Sequence, residues 1–87
     1  MHELTRSVLL AVVAASDSRV DDVETVAYER LSETQAELTA ASFADELDTL
    51  LTSGYLTKTR AKRDSAGELV RDRYLVPTTK GRVEVRR

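Results

Sequence analysis

Residues able to carry out covalent or metal chemistry are few in this chain of 87 residues. It has no cysteine, which excludes disulfides, thiolate metal sites and a cysteine nucleophile. Its one histidine is His2, so the commonest general base and any site built from several imidazoles are missing. Seventeen serines and threonines are present, but no histidine or cysteine is placed to activate one of them. We therefore expect a binding protein and not an enzyme, with no cofactor, no metal and no small-molecule ligand.

Charge is the property of this sequence that points to a function. The net charge is only −2, yet residues 1–54 hold eleven acidic residues against three arginines, a balance of −8. Residues 55–87 hold ten basic residues against four acidic ones, a balance of +6. Such a polarity predicts an electrostatic role for the C-terminal third. The alternative is that the two parts neutralise each other in the fold.

Size and composition predict one folded domain covering residues 1–87, because 41% of the residues are hydrophobic and 32% charged. The longest apolar run, residues 8–15, is too short to cross a bilayer and lacks a signal-peptide cleavage pattern. We expect a cytoplasmic, nucleoid-associated protein without a membrane partner. Ten arginines against three lysines, with many Ala, Val, Thr and Asp residues, are typical of a GC-rich genome or its virus.

Apolar spacing predicts three helices before residue 55. The first covers about residues 3–15, and the second begins near Asp21 or Asp22. The third follows Thr39 as its N-cap and ends at Gly54, where glycine suits a left-handed conformation. The apolar faces of these helices predict one core, composed of Leu9, Val12, Val26, Leu31, Phe43, Leu47 and Leu50.

The rest of the chain predicts a β-hairpin. Residues 55–62 and 69–76 both alternate in polarity, and residues 64–67 between them favour a turn. The hairpin carries six basic residues: Lys58, Arg60, Lys62, Arg63, Arg71 and Arg73. Alternation along a strand predicts a row of 58, 60 and 62 beside 71 and 73. A solvated edge protected by lysine is the alternative, but six bases within sixteen positions favour a binding surface.

Three segments carry a resemblance to a known family: residues 26–29, residues 38–56 with their Gly54-Tyr55-Leu56 ending, and residues 73–82. They are similar to the second helix, the recognition helix and the wing-closing segment of winged helix-turn-helix repressors of the PadR and MarR group. Two features depart from that group. Pro77 stands where leucine is common, and the C-terminal dimerisation helix is missing or very short.

The resemblance implies a mainly α (α+β) fold, a winged helix-turn-helix of three helices followed by a two-stranded β-hairpin wing at about residues 55–76. It also implies a small transcriptional regulator, such as a repressor, that binds double-stranded DNA sequence-specifically. The recognition helix, about residues 39–53, would enter the major groove, and the basic wing would follow the phosphate backbone or the minor groove. Contacts near the helix are expected from Gln35, Thr39, Ala40, Ala41 and Ser42.

Acidic residues on the third helix support a second hypothesis. Asp45, Glu46 and Asp48 would repel phosphates if they faced DNA, and the start of the helix has no Arg, Asn or Gln for bidentate base readout. Base readout by the helix should therefore be modest. The alternative function is a winged-helix protein-interaction module that uses its acidic helical surface.

The first helix predicts a homodimer. Its run at residues 8–13 is hydrophobic nearly all round, and such a helix usually needs burial on more than one side. Regulators that read two half-sites commonly have two-fold symmetry. The alternative is that the later helices and the hairpin cover this helix completely.

Overall fold

The computed structural model describes residues 1–20, 22–59, 62–63, 66–67, 69–71 and 74–87. In chain order, its elements are α1 (Glu3–Asp17), α2 (Val23–Thr34), α3 (Ala40–Thr52), β1 (Leu56–Thr59), β2 (Lys62–Arg63), β3 (Leu69–Arg71), β4 (Tyr74–Pro77) and α4 (Thr79–Val85). The mainly helical α+β class is confirmed. The prediction of three helices is wrong, because a fourth helix follows the hairpin.

Helix α1 is the element around which the others pack. Val8, Leu9 and Val12 are fully buried, and α2, α3, α4 and β4 all contact this helix. These elements cover most of α1 but leave Leu10 40% exposed. The centre of the core therefore lies along one broad side of α1.

The helix boundaries follow the predicted capping residues. Asp22 caps α2 and accepts a hydrogen bond from the Thr25 amide at 3.1 Å; Asp21 lies outside the described residues. Thr39 caps α3, and Gly54 after that helix has a φ of +83°, as predicted. Helix α1 extends two residues beyond its predicted end, to Asp17.

The predicted core is confirmed in part. Leu9, Val12, Leu31, Phe43 and Leu50 are buried, whereas Val26 and Leu47 are only partly buried and pack against the core from its flank. On α3, Phe43 and Leu50 are two turns apart and face inward. Leu47 lies about 40–60° from them around the helix axis, which explains its exposure. The core also contains Val8, Ala27, Leu38, Leu56 and Leu75.

The four strands form two antiparallel ladders, β1 with β4 and β2 with β3. In the first ladder Leu56 pairs with Pro77 and Thr59 with Tyr74. In the second, Lys62 pairs with Arg71, and a register shift follows at Arg63. The predicted β-hairpin is thus confirmed over the described residues. The ladder of β1 and β4 reaches the core through Leu56 and Leu75, which are 1% and 2% exposed.

A set of hydrogen bonds attaches α4 to the turn that follows α3. The Thr78 hydroxyl donates to the carbonyl of Gly54 at 2.7 Å and accepts from the Gly81 amide at 3.0 Å, so Thr78 caps α4. The Thr78 amide donates to the carbonyl of Tyr55 at 3.1 Å. Gly81 is buried, and a Cβ atom there would lie 2.1 Å from the Tyr55 carbonyl oxygen. This close approach explains why glycine occupies a helical position.

Helix α4 also bridges back to α1. The Arg6 guanidinium donates to the carbonyl of Arg87 at 2.9 Å, just beyond the end of α4. Arg82 forms an ion pair with Asp17 at 3.0 Å. Helix α4 is seven residues long.

Candidate nucleic-acid interface

Helices α2 and α3 are held together at the turn between them. The Leu38 amide donates to the carbonyl of Gln35 at 3.0 Å. The Tyr28 hydroxyl lies 3.5 Å from the carbonyl oxygen of Leu38, and its ring meets Phe43 edge-on with centroids 5.4 Å apart. Because Phe43 is buried, these contacts set the orientation of α3 relative to α2 and present its first turn to solvent.

The first turn of α3 is small and exposed. Thr39, Ala40 and Ala41 are exposed, and Ser42 is half-buried. The Ser42 amide donates to the Thr39 side chain at 3.1 Å, and the Thr39 amide donates to the Ser42 hydroxyl at 3.2 Å. Ala40 and Ala41 take no part in this reciprocal capping and are exposed. Small side chains permit a close backbone approach but provide no bidentate hydrogen bonds to bases.

The three acidic residues of α3 have different environments. Glu46 is turned toward α1, where its carboxylate accepts a hydrogen bond from the Thr5 hydroxyl. Asp45 and Asp48 are exposed. Asp45 lies four residues after Ala41, and positions four apart share a helix face. The exposed face of α3 therefore becomes acidic one turn after its start.

Gln35 lies beside α1. It is the C-cap of α2 and half-buried. It lines two shallow cavities, one with His2, Glu3, Leu4 and Ser7, and the other with residues of α1 and α2. Of the residues predicted to contact DNA near the recognition helix, Thr39 to Ser42 lie together at the start of α3. Gln35 lies apart from them, beside α1.

The basic residues of the hairpin are distributed along both ladders. Lys58 is exposed in β1, two residues after buried Leu56. Lys62 and Arg63 form β2, and the register places Lys62 opposite Arg71 of β3. Arg60 and Arg73 lie outside the described residues.

Four further basic residues, not among the predicted contacts, belong to α4 and its end. The Lys80 ammonium donates to the Ser53 carbonyl at 2.8 Å and lies 4.4 Å from the centre of the Tyr55 ring. Arg82 pairs with Asp17, whereas Arg86 and Arg87 are exposed. The surplus of basic residues after residue 55 already included these four. The sequence could not show which residues they contact in the fold.

Comparisons of the chain with protein-family models, with curated proteins and with solved structures give no match. Over the described ranges, no helix combines the length and apolarity needed to cross a bilayer. In the same part of the chain, no group of three His, Asp or Glu side chains is arranged to hold a metal ion.

Proposed function

We propose that this protein binds double-stranded DNA sequence-specifically as a small cytoplasmic, nucleoid-associated transcriptional regulator. In this proposal α2, its turn and α3 act as a helix-turn-helix, and the hairpin acts as the wing of a winged helix related to the PadR and MarR group. The first turn of α3 enters the major groove. The hairpin follows the phosphate backbone or the minor groove.

The observation that carries the proposal is the concentration of positive charge on the hairpin. Lys62 stands opposite Arg71, with Arg63 next along β2 and exposed Lys58 in β1. Such a pairing is unfavourable within an isolated ladder, and phosphates relieve it. Lys and Arg side chains that neutralise phosphates also release counterions, which supplies affinity independent of base sequence.

The charge distribution on α3 suggests how the helix would approach DNA. Thr39, Ala40 and Ala41 at the first turn are exposed and uncharged, whereas Asp45 and Asp48 further along are exposed and acidic. An approach by the N-terminal end of α3 keeps both carboxylates away from the phosphates. Base selectivity then comes from the first turn and from DNA shape.

A salt titration of duplex binding tests the proposal. A variant with Arg60→Ala, Lys62→Ala and Arg63→Ala should bind every duplex far more weakly. The slope of log affinity against log salt concentration should fall by about three units, because each lost phosphate contact removes about one. The matched control changes Arg30, Arg86 and Arg87 to Ala, which removes the same charge outside the hairpin and should change binding much less. Unchanged affinity of the hairpin variant at equal salt contradicts the proposal.

Base selectivity is tested at the first turn of α3. Ser42 contributes to the cap of α3, so Ser42→Ala changes the helix end as well as any base contact. Ala41→Gln adds a bidentate hydrogen-bonding group at an exposed position and leaves the cap intact. Selection from a random duplex pool should then yield a different preferred sequence, with little change in the salt slope.

We also propose that the regulator is a homodimer that associates through α1. Leu10 is 40% exposed and borders a shallow apolar groove of about 390 Å³ that also includes Ser7, Ala11 and Ala14. A two-fold axis here would let Leu10 of each copy pack into the other copy's groove. Light scattering should give a dimer mass for the parent and a monomer mass for Leu10→Asp. A monomeric parent at micromolar concentration contradicts this part.

The second candidate function is a protein-interaction module. It is favoured by Asp45 and Asp48, which lie exposed on the helix that would otherwise enter the groove. Here the acidic helical surface binds a basic partner. The absence of binding to any duplex at low salt would support this function over the first.

A further inference from the structure

A mostly apolar groove, the α2–α3 groove, lies between the first half of α2 and the first two turns of α3. Its lining includes Thr25 and Tyr28 of α2 and Phe43, Ala44 and Leu47 of α3, and its volume is about 320 Å³. Leu47 packs against the core only from its flank and is partly exposed. The groove can therefore receive an apolar side chain of another molecule.

Carboxylates surround the α2–α3 groove. Glu24 is part of its lining. Asp48 follows the lining residue Ala44 by four positions, Glu29 follows the lining residue Thr25 by four, and both acids are exposed. Because residues four apart are neighbours on one face of a helix, Asp48 borders the groove on the α3 side and Glu29 on the α2 side. An occupant with one apolar side chain among basic ones matches both the lining and the border.

The outer face of α4 has this chemistry. Val83 is 45% exposed, whereas Val85, two positions further along the helix, packs against the core. Lys80 precedes Val83 by three positions, and Arg86 and Arg87 follow it by three and four; all three basic residues are exposed. This spacing places them around Val83 on one side of the helix. Helix α4 thus presents one apolar side chain among three basic ones.

The α4 that fits the groove belongs to a second copy of the chain. In its own copy, α4 is fixed against α1 by the ion pair of Arg82 with Asp17 at 3.0 Å. The Arg6 guanidinium of α1 also donates to the carbonyl of Arg87 at 2.9 Å. These contacts hold α4 along α1 while its outer face, with Val83, stays open to another molecule.

We propose that the α2–α3 groove of one copy binds the outer face of α4 of a second copy. Val83 enters the groove, and the basic residues around it lie beside Asp48 and Glu29. The contact joins two different surfaces, so a free groove remains at one end and a free α4 at the other, and the association extends head to tail. One apolar side chain and a few exposed ion pairs make each contact weak.

This contact has a consequence for DNA binding. Ala40 also lines the α2–α3 groove, and it belongs to the first turn of α3, which enters the major groove of DNA in the proposed function. An α4 bound there covers this turn, so self-association and DNA binding compete. The competition rests on the proposed function, whereas the self-association does not.

Sedimentation of the full chain without DNA tests the groove. All proteins carry Leu10→Asp, which eliminates the proposed α1 interface. The groove variant adds Glu29→Lys and Asp48→Lys. Its matched control adds Glu33→Lys and Glu37→Lys, the same charge change at exposed positions outside the groove lining. The concentration series extends to about 1 mM, the range in which weak contacts are populated.

A second variant tests α4 in the same series. Val83→Gln removes the apolar side chain and leaves every charge in place. Val83→Leu is its conservative control, because it keeps an apolar side chain on the same face. Val83 is exposed, so both substitutions should leave the fold intact, which circular dichroism checks.

The Leu10→Asp parent should increase in mean mass with concentration, and the increase should be smaller at high salt. The groove variant and Val83→Gln should each associate at least about fivefold more weakly, and the two controls should match the parent. An equal mixture of the groove variant and Val83→Gln should form a one-to-one heterodimer, because one intact groove and one intact α4 remain. A parent that stays monomeric, a monomeric mixture, or a charge control as weak as the groove variant each overturns the proposal.

A DNA measurement distinguishes the failure of this proposal from the failure of the proposed function. Val83→Gln should bind a labelled duplex at least as tightly as the parent at equal salt, because its α3 is covered less often; weaker binding would overturn the competition. If no protein binds any duplex while the mixture forms heterodimers, the self-association stands and the proposed function fails. If the duplex is bound and the mixture stays monomeric, only the contact between the groove and α4 is wrong.

Discussion

The three-helix region, residues 1–54, and the region of the hairpin and α4, residues 55–87, differ in how they are held as well as in charge. The first region is held by apolar packing around α1, with Val8, Leu9 and Val12 fully buried. The second region adds Leu56 and Leu75 to that core and is also joined to the turn after α3 by polar contacts of Thr78 and Lys80 with backbone carbonyls. Apolar packing thus holds both regions, and the hydrogen bonds to backbone atoms are an additional attachment of the second.

The two regions also carry opposite net charges, negative over residues 1–54 and positive over residues 55–87. Exposed carboxylates such as Glu29, Glu33 and Asp48 lie on the outer faces of α2 and α3. The ion pair between Arg82 and Asp17 connects the regions, with side chains 39% and 57% exposed. These carboxylates of the described residues thus lie on the helical surface.

The largest expected effect breaks the packing of the first region. Leu50 is fully buried, so Leu50→Ala should lower the free energy of unfolding by about 2–5 kcal/mol. Leu47→Ala on the same helix should cost about 1–2 kcal/mol, because Leu47 is only partly buried and its removal leaves a smaller cavity. Urea unfolding of both variants measures the difference. Equal costs would mean that the phase of α3 in the core is wrong.

These two leucines show what the sequence could predict and what it could not. Helical spacing identified α3, its Thr39 cap and its Gly54 end, since those depend on local backbone chemistry. It could not distinguish Leu47 from Leu50, because the depth of each depends on where α1 and α2 lie. The fourth helix was missed for a similar reason. Its cap at Thr78 depends on contacts with Gly54 and Tyr55, more than twenty residues earlier.

The candidate site was predictable to a similar extent. The charge polarity and the alternation of residues 55–76 indicated a basic hairpin, and the register confirms Lys62 beside Arg71. The mostly apolar groove lined by Tyr28 of α2 and by Phe43, Ala44 and Leu47 of α3 could not be foreseen, because it depends on how the two helices pack. The different orientations of Glu46 and Asp45 depend on the position of Thr5 in α1.

A smaller loss of stability is expected from a substitution at Gly81, where α4 packs against the turn after α3. Gly81→Ala should cost about 1–3 kcal/mol, because its Cβ would lie 2.1 Å from the Tyr55 carbonyl oxygen and the backbone must shift. Gly67→Ala is a suitable comparison, since no atom lies within 4 Å of its Cβ position; its φ of +82° still disfavours alanine by about 1 kcal/mol. Thermal unfolding monitored by circular dichroism compares the two. A larger loss at Gly67 would contradict close packing of α4 against the turn.

The smallest expected effect concerns the ion pair that joins the two regions. The ion pair of Arg82 and Asp17 is partly exposed, so a double-mutant cycle with Asp17→Asn and Arg82→Gln should give a coupling of about 0.2–1 kcal/mol. The coupling should decrease with added salt, because mobile ions screen exposed charges. Arg87 and Glu84 are a control pair within one region, with a separation of 4.0 Å and an Arg87 side chain 73% exposed; their coupling should be weaker still. A coupling between Arg82 and Asp17 well above 1 kcal/mol would instead mean that charge attraction contributes substantially to holding the acidic and basic regions together.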